Sequence, residues 1–448
     1  MEEAVTQIIP GVDTRIWGYN GLYPGPTFRV RHGEPAIVRF TNHLANVHFG
    51  KQRLDVHALV HNHGGHQSSE SDGSPVDPNR EIHPHGFKDF CYPNMAPINP
   101  ATGKQETSDF GSTQWYHDHL MDQTGRNVYM GLAGFYLLTD DLERGLIASG
   151  KLPADAFDIP LAIQDRVFSS DGSLLFEPGD FDGVLGDVYV VNGKAQPRFQ
   201  VGRRKYRFRI LNGANARFLE LRLSSGTFLQ IGNDSWLLPY AIPRTSLRLA
   251  PAERADVIID FRDAPAEVFL SNVLEQTDGR GPDEVKLPGT PVLKFIVSGS
   301  RLSDNATIGP GGALRPHTPI SPTEIVRTRQ WEFERSGGHW VINHEDFDPG
   351  RDDATPKANT AERWILKNGG GGWAHPIHMH LEAHQVQRFN GRAPALHNSF
   401  KKDTTALGPG DEAEVLMKFR TFTGKYVFHC HNIEHEDRAM MGLFEVKS

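Results

Sequence analysis

The sequence predicts an all-β protein assembled from three parts, each about the size of one sandwich. Three observations lead there: many short runs of alternating apolar and polar residues, frequent punctuation by 45 Gly and 30 Pro, and few long amphipathic helical patterns among 448 residues. A doubly wound sheet would need a helix between successive strands, whereas short strands broken by Gly and Pro indicate sandwiches or barrels. With 38% hydrophobic and 23% charged residues the chain is expected to be folded and soluble rather than disordered.

Taken in order, residues 27–43 (TFRVRHGEPAIVRFTNH) alternate on either side of a His-Gly-Glu-Pro break, which reads as two short strands joined by a turn, each with one face in a core. Further strands are expected at Gly134–Thr139, Val188–Val191, Tyr206–Leu211, Phe218–Leu223, Ala255–Ile259, Val292–Ser298, Arg363–Lys367, Glu414–Phe419 and Lys425–His429. Thr139–Ser149 is the best helical candidate. Residues 62–115, rich in Gly, Pro, Ser, Asp and Asn, read as an irregular cover over a site because histidine clusters bound them; a disordered insertion is the alternative. Composition divides the chain at 1–145, 146–298 and 299–448, with a Gly/Pro-rich connector at Ile308–Pro319. Periodicity alone leaves a single large barrel open.

Charge narrows the partners. Forty-seven Lys and Arg against 55 Asp and Glu give a formal charge of −8, which argues against a nucleic-acid polyanion. No apolar run approaches the length of a membrane span, and the first thirty residues lack the hydrophobic stretch of a signal peptide. Two cysteines, Cys91 and Cys430, permit one bridge at most, so they do not report the redox compartment. The 22 histidines are more informative: all lie in His32–His119 or His317–His435, leaving 120–316 without one. Any metal centre therefore draws these ligands from the two ends of the chain.

The strongest local signal is Phe428-His429-Cys430-His431-Asn432-Ile433-Glu434-His435, followed by Met440 and Met441. On a strand, His429 and His431 face one side and Cys430 the other, so one segment serves two metal sites back to back. Cys430 offers a thiolate, His435 an imidazole after a turn, and Met440 a weak thioether; a second imidazole completes a blue-copper environment. His375, in His375-Pro376-Ile377-His378-Met379-His380, supplies it. His378 and His380 join His61/His63, His117/His119 and His429/His431 as four His-x-His pairs, enough imidazoles for a cluster of three copper ions. One such pair is weak evidence, since most histidines only make hydrogen bonds. Zinc also accepts Cys and His, but it does not call for eight paired histidines with a thiolate and a thioether.

Together WGYNGLYPGPTFRVRHGEPAIVRFTN, HNHGGHQSSESDG, WYHDH, HPIHMH and HCHNIEHEDRAMM resemble the three-domain multicopper oxidases, in particular the bacterial spore-coat laccase and bilirubin oxidase branch. The resemblance covers nearly the whole chain. It implies three cupredoxin-like Greek-key β-sandwiches, the middle one a connector, and four copper ions: one type 1, one type 2 and two type 3. By motif, His375, Cys430, His435 and Met440 match the type 1 ligands, and His61 and His378 the type 2 pair. His63, His117, His119, His380, His429 and His431 match the type 3 ligands. The resemblance further implies electron transfer from a small aromatic reductant through the exposed edge of His435 to Cys430, then to the cluster, where dioxygen becomes water. Glu436 is read as a proton relay and Asp72 as a modulator of hydroxide release, with Asp118 as structural support.

The expected activity is a laccase-like oxidation of phenols or aromatic amines by a monomer. Bilirubin oxidase, aminophenol oxidase or phenoxazinone synthase, cuprous-ion oxidase, and a non-catalytic copper storage or coat protein are the alternatives. Only eight methionines occur, which weakens the cuprous reading. An extracellular, periplasmic or spore-surface location is implied by the resemblance alone.

Overall fold

A computed structural model describes residues 1–76, 81–177, 182–302 and 306–448; residues 77–80 of the 62–115 stretch lie outside them. The all-β expectation holds. Strands dominate, and among the described residues the α-helices are the short segments Thr124–Met130, Asp141–Ala148 and Ile433–Glu436. The second is the helix expected at Thr139–Ser149, and its N-terminus is closed by the Asp140 side chain, which accepts from the Glu143 amide. Among the described residues no helix is long and apolar enough to cross a membrane.

In the first part, Gly25–Arg31 runs parallel to Ala133–Thr139, which pairs antiparallel with Thr113–Asp118, which in turn pairs with Val60–His63. The strands on either side of the His32–Pro35 turn do not pair with each other. Ala36–Thr41 leaves that sheet and pairs with Phe87–Tyr92. The turn is held by other segments, with the His32 amide donating to the Thr139 carbonyl and the Gly33 amide to that of Asn94. The Phe87–Tyr92 strand corrects the reading of 62–115 as wholly irregular. Its periodicity is obscured because Phe87 faces outward, under the Arg39 guanidinium, while Phe90 and Tyr92 are buried.

The middle part packs a seven-stranded sheet on a five-stranded one. Along Lys205–Asn212, alternation sends Tyr206, Phe208 and Ile210 into the sandwich core. The same alternation turns Arg207 and Arg209 to the other face, where they are buried against Glu143, Asp158 and Asp256. Glu143 accepts from Arg207 at 2.6 Å, from Arg209 at 2.9 Å and from the Ser112 hydroxyl at 2.8 Å, tying the first part to the second.

The last part sets a six-stranded sheet on the four-stranded sheet of Thr404–Leu407, His375–Met379, Gly424–Cys430 and Met441–Val446, around Trp331, Trp364, Phe428 and Phe444. Both ends of the chain thus deliver histidine-bearing strands to one region.

Removing Glu143 leaves two buried guanidiniums short of a counter-charge. Glu143→Ala is expected to destabilise the protein by about 3–5 kcal/mol, read from urea unfolding; a loss below about 1 kcal/mol would show that the network contributes little beyond a surface pair.

Candidate metal centre

Two pairs of antiparallel strands assemble the site. In one, His61 lies opposite His117 and His63 opposite Trp115. In the other, His378 lies opposite His429 and Ile377 opposite Cys430. Each His-x-His keeps both rings on one side, with centroids 5.7 Å apart for His61/His63, 5.6 Å for His117/His119, 4.8 Å for His378/His380 and 5.5 Å for His429/His431. The two strand pairs interlock through stacked imidazoles, His61 on His380 at 4.0 Å and His63 on His378 at 3.6 Å.

The hydrogen bonds fix where the ring protons sit. The Nδ1–H of His61 donates to the Asp72 carbonyl (2.6 Å), that of His117 to the Asp118 carbonyl (2.7 Å), that of His378 to the Asp403 carbonyl (2.9 Å) and that of His429 to the Cys430 carbonyl (3.0 Å). His380 Nδ1–H donates to the Asp72 carboxylate (2.7 Å), and His63 Nε2–H to the Asp403 carboxylate (3.1 Å). An imidazole with one nitrogen so engaged presents a bare lone pair on the other. Those nitrogens, Nε2 of His61, His117 and His378 and Nδ1 of His63, are buried without a hydrogen-bond partner. Burial first, and then the neighbouring imidazoles, lower the pKa of His61, His378 and His380 well below the usual value, so these rings are neutral.

Donor atoms converge in groups. Nε2 of His429 lies 3.1 Å from that of His119 and 3.2 Å from that of His380. His63, His117 and His431 have ring centroids 5.2–5.8 Å apart. His61 has a nitrogen within 4.8 Å of those of both His378 and His380. Lone pairs gathered in a dry interior repel one another unless a cation lies among them, and neutral imidazoles with anchored far-side protons are the donors transition metals take.

The pleat turns Cys430 the opposite way. Its Sγ lies 3.5 Å from Nδ1 of His375 and 3.5 Å from Nδ1 of His435, and the two nitrogens are 3.2 Å apart. His435 Nε2–H donates to the Asp182 carbonyl at 3.1 Å, leaving its Nδ1 lone pair toward the sulfur. Donors about 2.0–2.3 Å from one shared ion sit roughly this far apart. Burial pushes the Cys430 thiol up, so a thiolate here needs a cation in contact. Met440 is buried in the same cluster as Cys430, and its carbonyl accepts from the Cys430 amide at 3.0 Å, whereas Met441 packs with Val427 and Leu443. The donor set of each group fits copper.

One expectation is overturned. His435 presents no exposed edge: it is fully buried, with Trp340 stacked on it at 3.7 Å and 28°. Trp340 comes from the His339–Ile342 strand, which nothing in the motif pattern connects to His435. Pattern reading also missed Asp403 and Arg254. Arg254, from the histidine-free centre, donates to both Asp403 oxygens (2.7 and 2.6 Å), and Asp403 accepts from His63 at its carboxylate and from His378 at its carbonyl.

Among the acids, Glu436 is buried with Oε1 3.3 Å from His119 Nδ1, and burial followed by Asp437 raises its pKa well above the usual carboxyl range. Asp72 touches both His61 and His380. Asp118 accepts from the Leu59 and Leu120 amides and from Asn127, a bracing role. Cys91 is exposed.

The multicopper oxidase family matches the chain over residues 1–143 and again over 315–448. A laccase of Bacillus subtilis is 32% identical across the whole chain and 93% of its own length. A bilirubin oxidase of Albifimbria verrucaria is 34% identical over 95% of this chain and 72% of its own. The crystal structure of a laccase from Pediococcus acidilactici superposes on the whole chain and 88% of its own, with a TM-score of 0.85 at 28% identity.

Arg254→Met should lower copper affinity at the histidine cluster by about 10–100-fold, because Asp403 loses its anchor, while the Cys430 site keeps its metal. Dialysis against graded chelator with copper counting checks this; equal loss from both sites would contradict the connection through Asp403.

Proposed function

We propose that this chain, which belongs to the multicopper oxidase family, is a laccase-like oxidase that takes single electrons from phenols or aromatic amines and reduces dioxygen to water. The observation that carries the reading is the single strand segment on which Cys430 faces one donor group while His429 and His431 face the other.

In this reading His375, Cys430, His435 and Met440 hold a type 1 copper, His61 and His378 a type 2 copper, and His63, His117, His119, His380, His429 and His431 a type 3 pair. Bound copper supplies reversible one-electron chemistry at the cysteine site and four-electron reduction of dioxygen at the cluster. The chain would consist of three cupredoxin units, 1–145, 146–298 and 299–448, acting as a monomer at an extracellular or surface location.

The residues supply the rest. Electrons arriving at His435 have Trp340 and the Asp182 carbonyl as immediate neighbours, so the reductant acts at the outer side of that cover. That surface carries Trp373, in T-shaped contact with Trp340 at 5.3 Å, with the Arg280 guanidinium over its ring at 4.8 Å. An aromatic donor lying against such groups needs proximity more than a fitted pocket, which favours a broad range of electron-rich substrates. From Cys430 the covalent path to His429 and His431 is one residue in either direction. Making two waters from one dioxygen takes four electrons and four protons. Glu436, whose burial favours the protonated carboxyl and which lies beside His119, is placed to pass protons inward, while Asp72 holds His61 and His380 and tunes the charge beside them.

Copper-loaded protein should consume oxygen with a phenol or an aminophenol, releasing little peroxide; bilirubin and Cu(I) belong in the same panel, and preference for either would reassign the substrate. Cys430→Ser is expected to abolish the blue absorption. Glu436→Gln should keep the colour and slow oxygen consumption by about 10²–10⁴-fold. Unchanged turnover in the second variant would remove Glu436 from the proton path.

A further inference from the structure

Outside the interior clusters, a second group of metal-binding side chains gathers near the surface at His57, Glu81 and His83. Its geometry follows from a short backbone bridge. The Ala58 amide donates to the Ile82 carbonyl (3.2 Å) and the Ile82 amide to the Ala58 carbonyl (2.7 Å), an antiparallel pairing that buries both side chains. Alternation then turns the residues flanking 58 and 82 to the opposite face, where His57, Glu81 and His83 meet. The buried Asn42 holds the bridge by donating to the carbonyls of Val56 and Ile82, both at 2.8 Å, and its own carbonyl accepts from the His85 amide at 2.7 Å. The three side chains therefore sit on a fixed frame.

Their donor atoms compete for one position. Nδ1 of His57 lies 3.2 Å from Nδ1 of His83 and also contacts the Glu81 carboxylate. A single ring nitrogen carries at most one proton, so Glu81 and His83 can only share the His57 Nδ1–H in a three-centre bond, each contact weaker than a full hydrogen bond. A cation among the three satisfies all of them. Two imidazoles and one carboxylate make an oxygen–nitrogen set of borderline softness with one negative charge, and partial exposure leaves room for water as a further ligand.

We propose that His57, Glu81 and His83 form a separate surface site for a borderline divalent cation, zinc or copper(II). The cation would fasten the 81–83 segment to His57, four residues before His61 on the chain entering the interior centre. None of its ligands is shared with that centre, so the proposal stands or falls apart from the oxidase reading.

The test is a metal count on copper-loaded full-length chain, freed of loosely held metal, then equilibrated with zinc. Wild type should take up about one zinc beyond its copper. His83→Ala and Glu81→Gln should each lose at least about tenfold in zinc affinity with copper content and blue colour unchanged, because both side chains are partly exposed and outside the interior clusters. With Cu(II) in place of zinc, wild type should show an additional non-blue copper signal that zinc displaces and that both variants lack. No metal beyond the interior complement with either cation, or equal uptake by wild type and both variants, would overturn the site.

Discussion

A histidine cluster inside a protein works only if each ring knows which nitrogen is bare. Here the hydrogen bonds from ring N–H groups to backbone carbonyls and to the Asp72 and Asp403 carboxylates settle this. The carbonyls of Asp118 and Cys430 lie on the histidine-bearing segments themselves, and those of Asp72 and Asp403 on segments packed against them, so assembling the fold also sets the tautomers. Burial keeps the rings neutral, and ring stacking across the two strand pairs limits their rotation. Cations meeting the unpaired nitrogens would offset the desolvation cost of so many polar rings.

The histidine-free middle of the chain contributes through charge. Arg254 braces Asp403 and through it His63 and His378; Arg207 and Arg209 join the Asp141–Ala148 helix and the hydroxyls of Ser112 and Thr113 to the central sheet. Replacing a buried ion pair by apolar residues is often neutral for stability, whereas removing one partner is costly. The value of these pairs is therefore positional: they fix the angle at which the central sandwich meets the strands of the site.

Much of this was legible in the sequence, for physical reasons that differ by element. Strands such as Tyr206–Leu211 announced themselves because one face is in a core. The His-x-His pairs were legible because period two carries both side chains to one side. The turn at His32–Pro35 read correctly as a turn, but whether its flanking strands pair is decided by Thr139 and Asn94, far away in the chain. Phe87–Tyr92 was hidden by an outward aromatic held under Arg39. Arg254 and Trp340 carried no local signal, since their importance lies in a partner about 150 and 95 residues distant. The burial of His435 could not be read for the same reason: its cover is a tertiary neighbour.

Pairing of Ile377 with Cys430 and of His378 with His429 has a consequence for how this segment can vary. Because a strand's side chains change sides at every step, inserting one residue between Phe428 and His429 would turn Cys430 toward the histidine cluster and His429 and His431 toward His375, leaving neither group its own donors. Substitutions here are graded, but a change of length is all-or-nothing. The segment is thus a reading frame in space, one in which the placement of two donor groups and the register of a sheet are written in the same few peptide units.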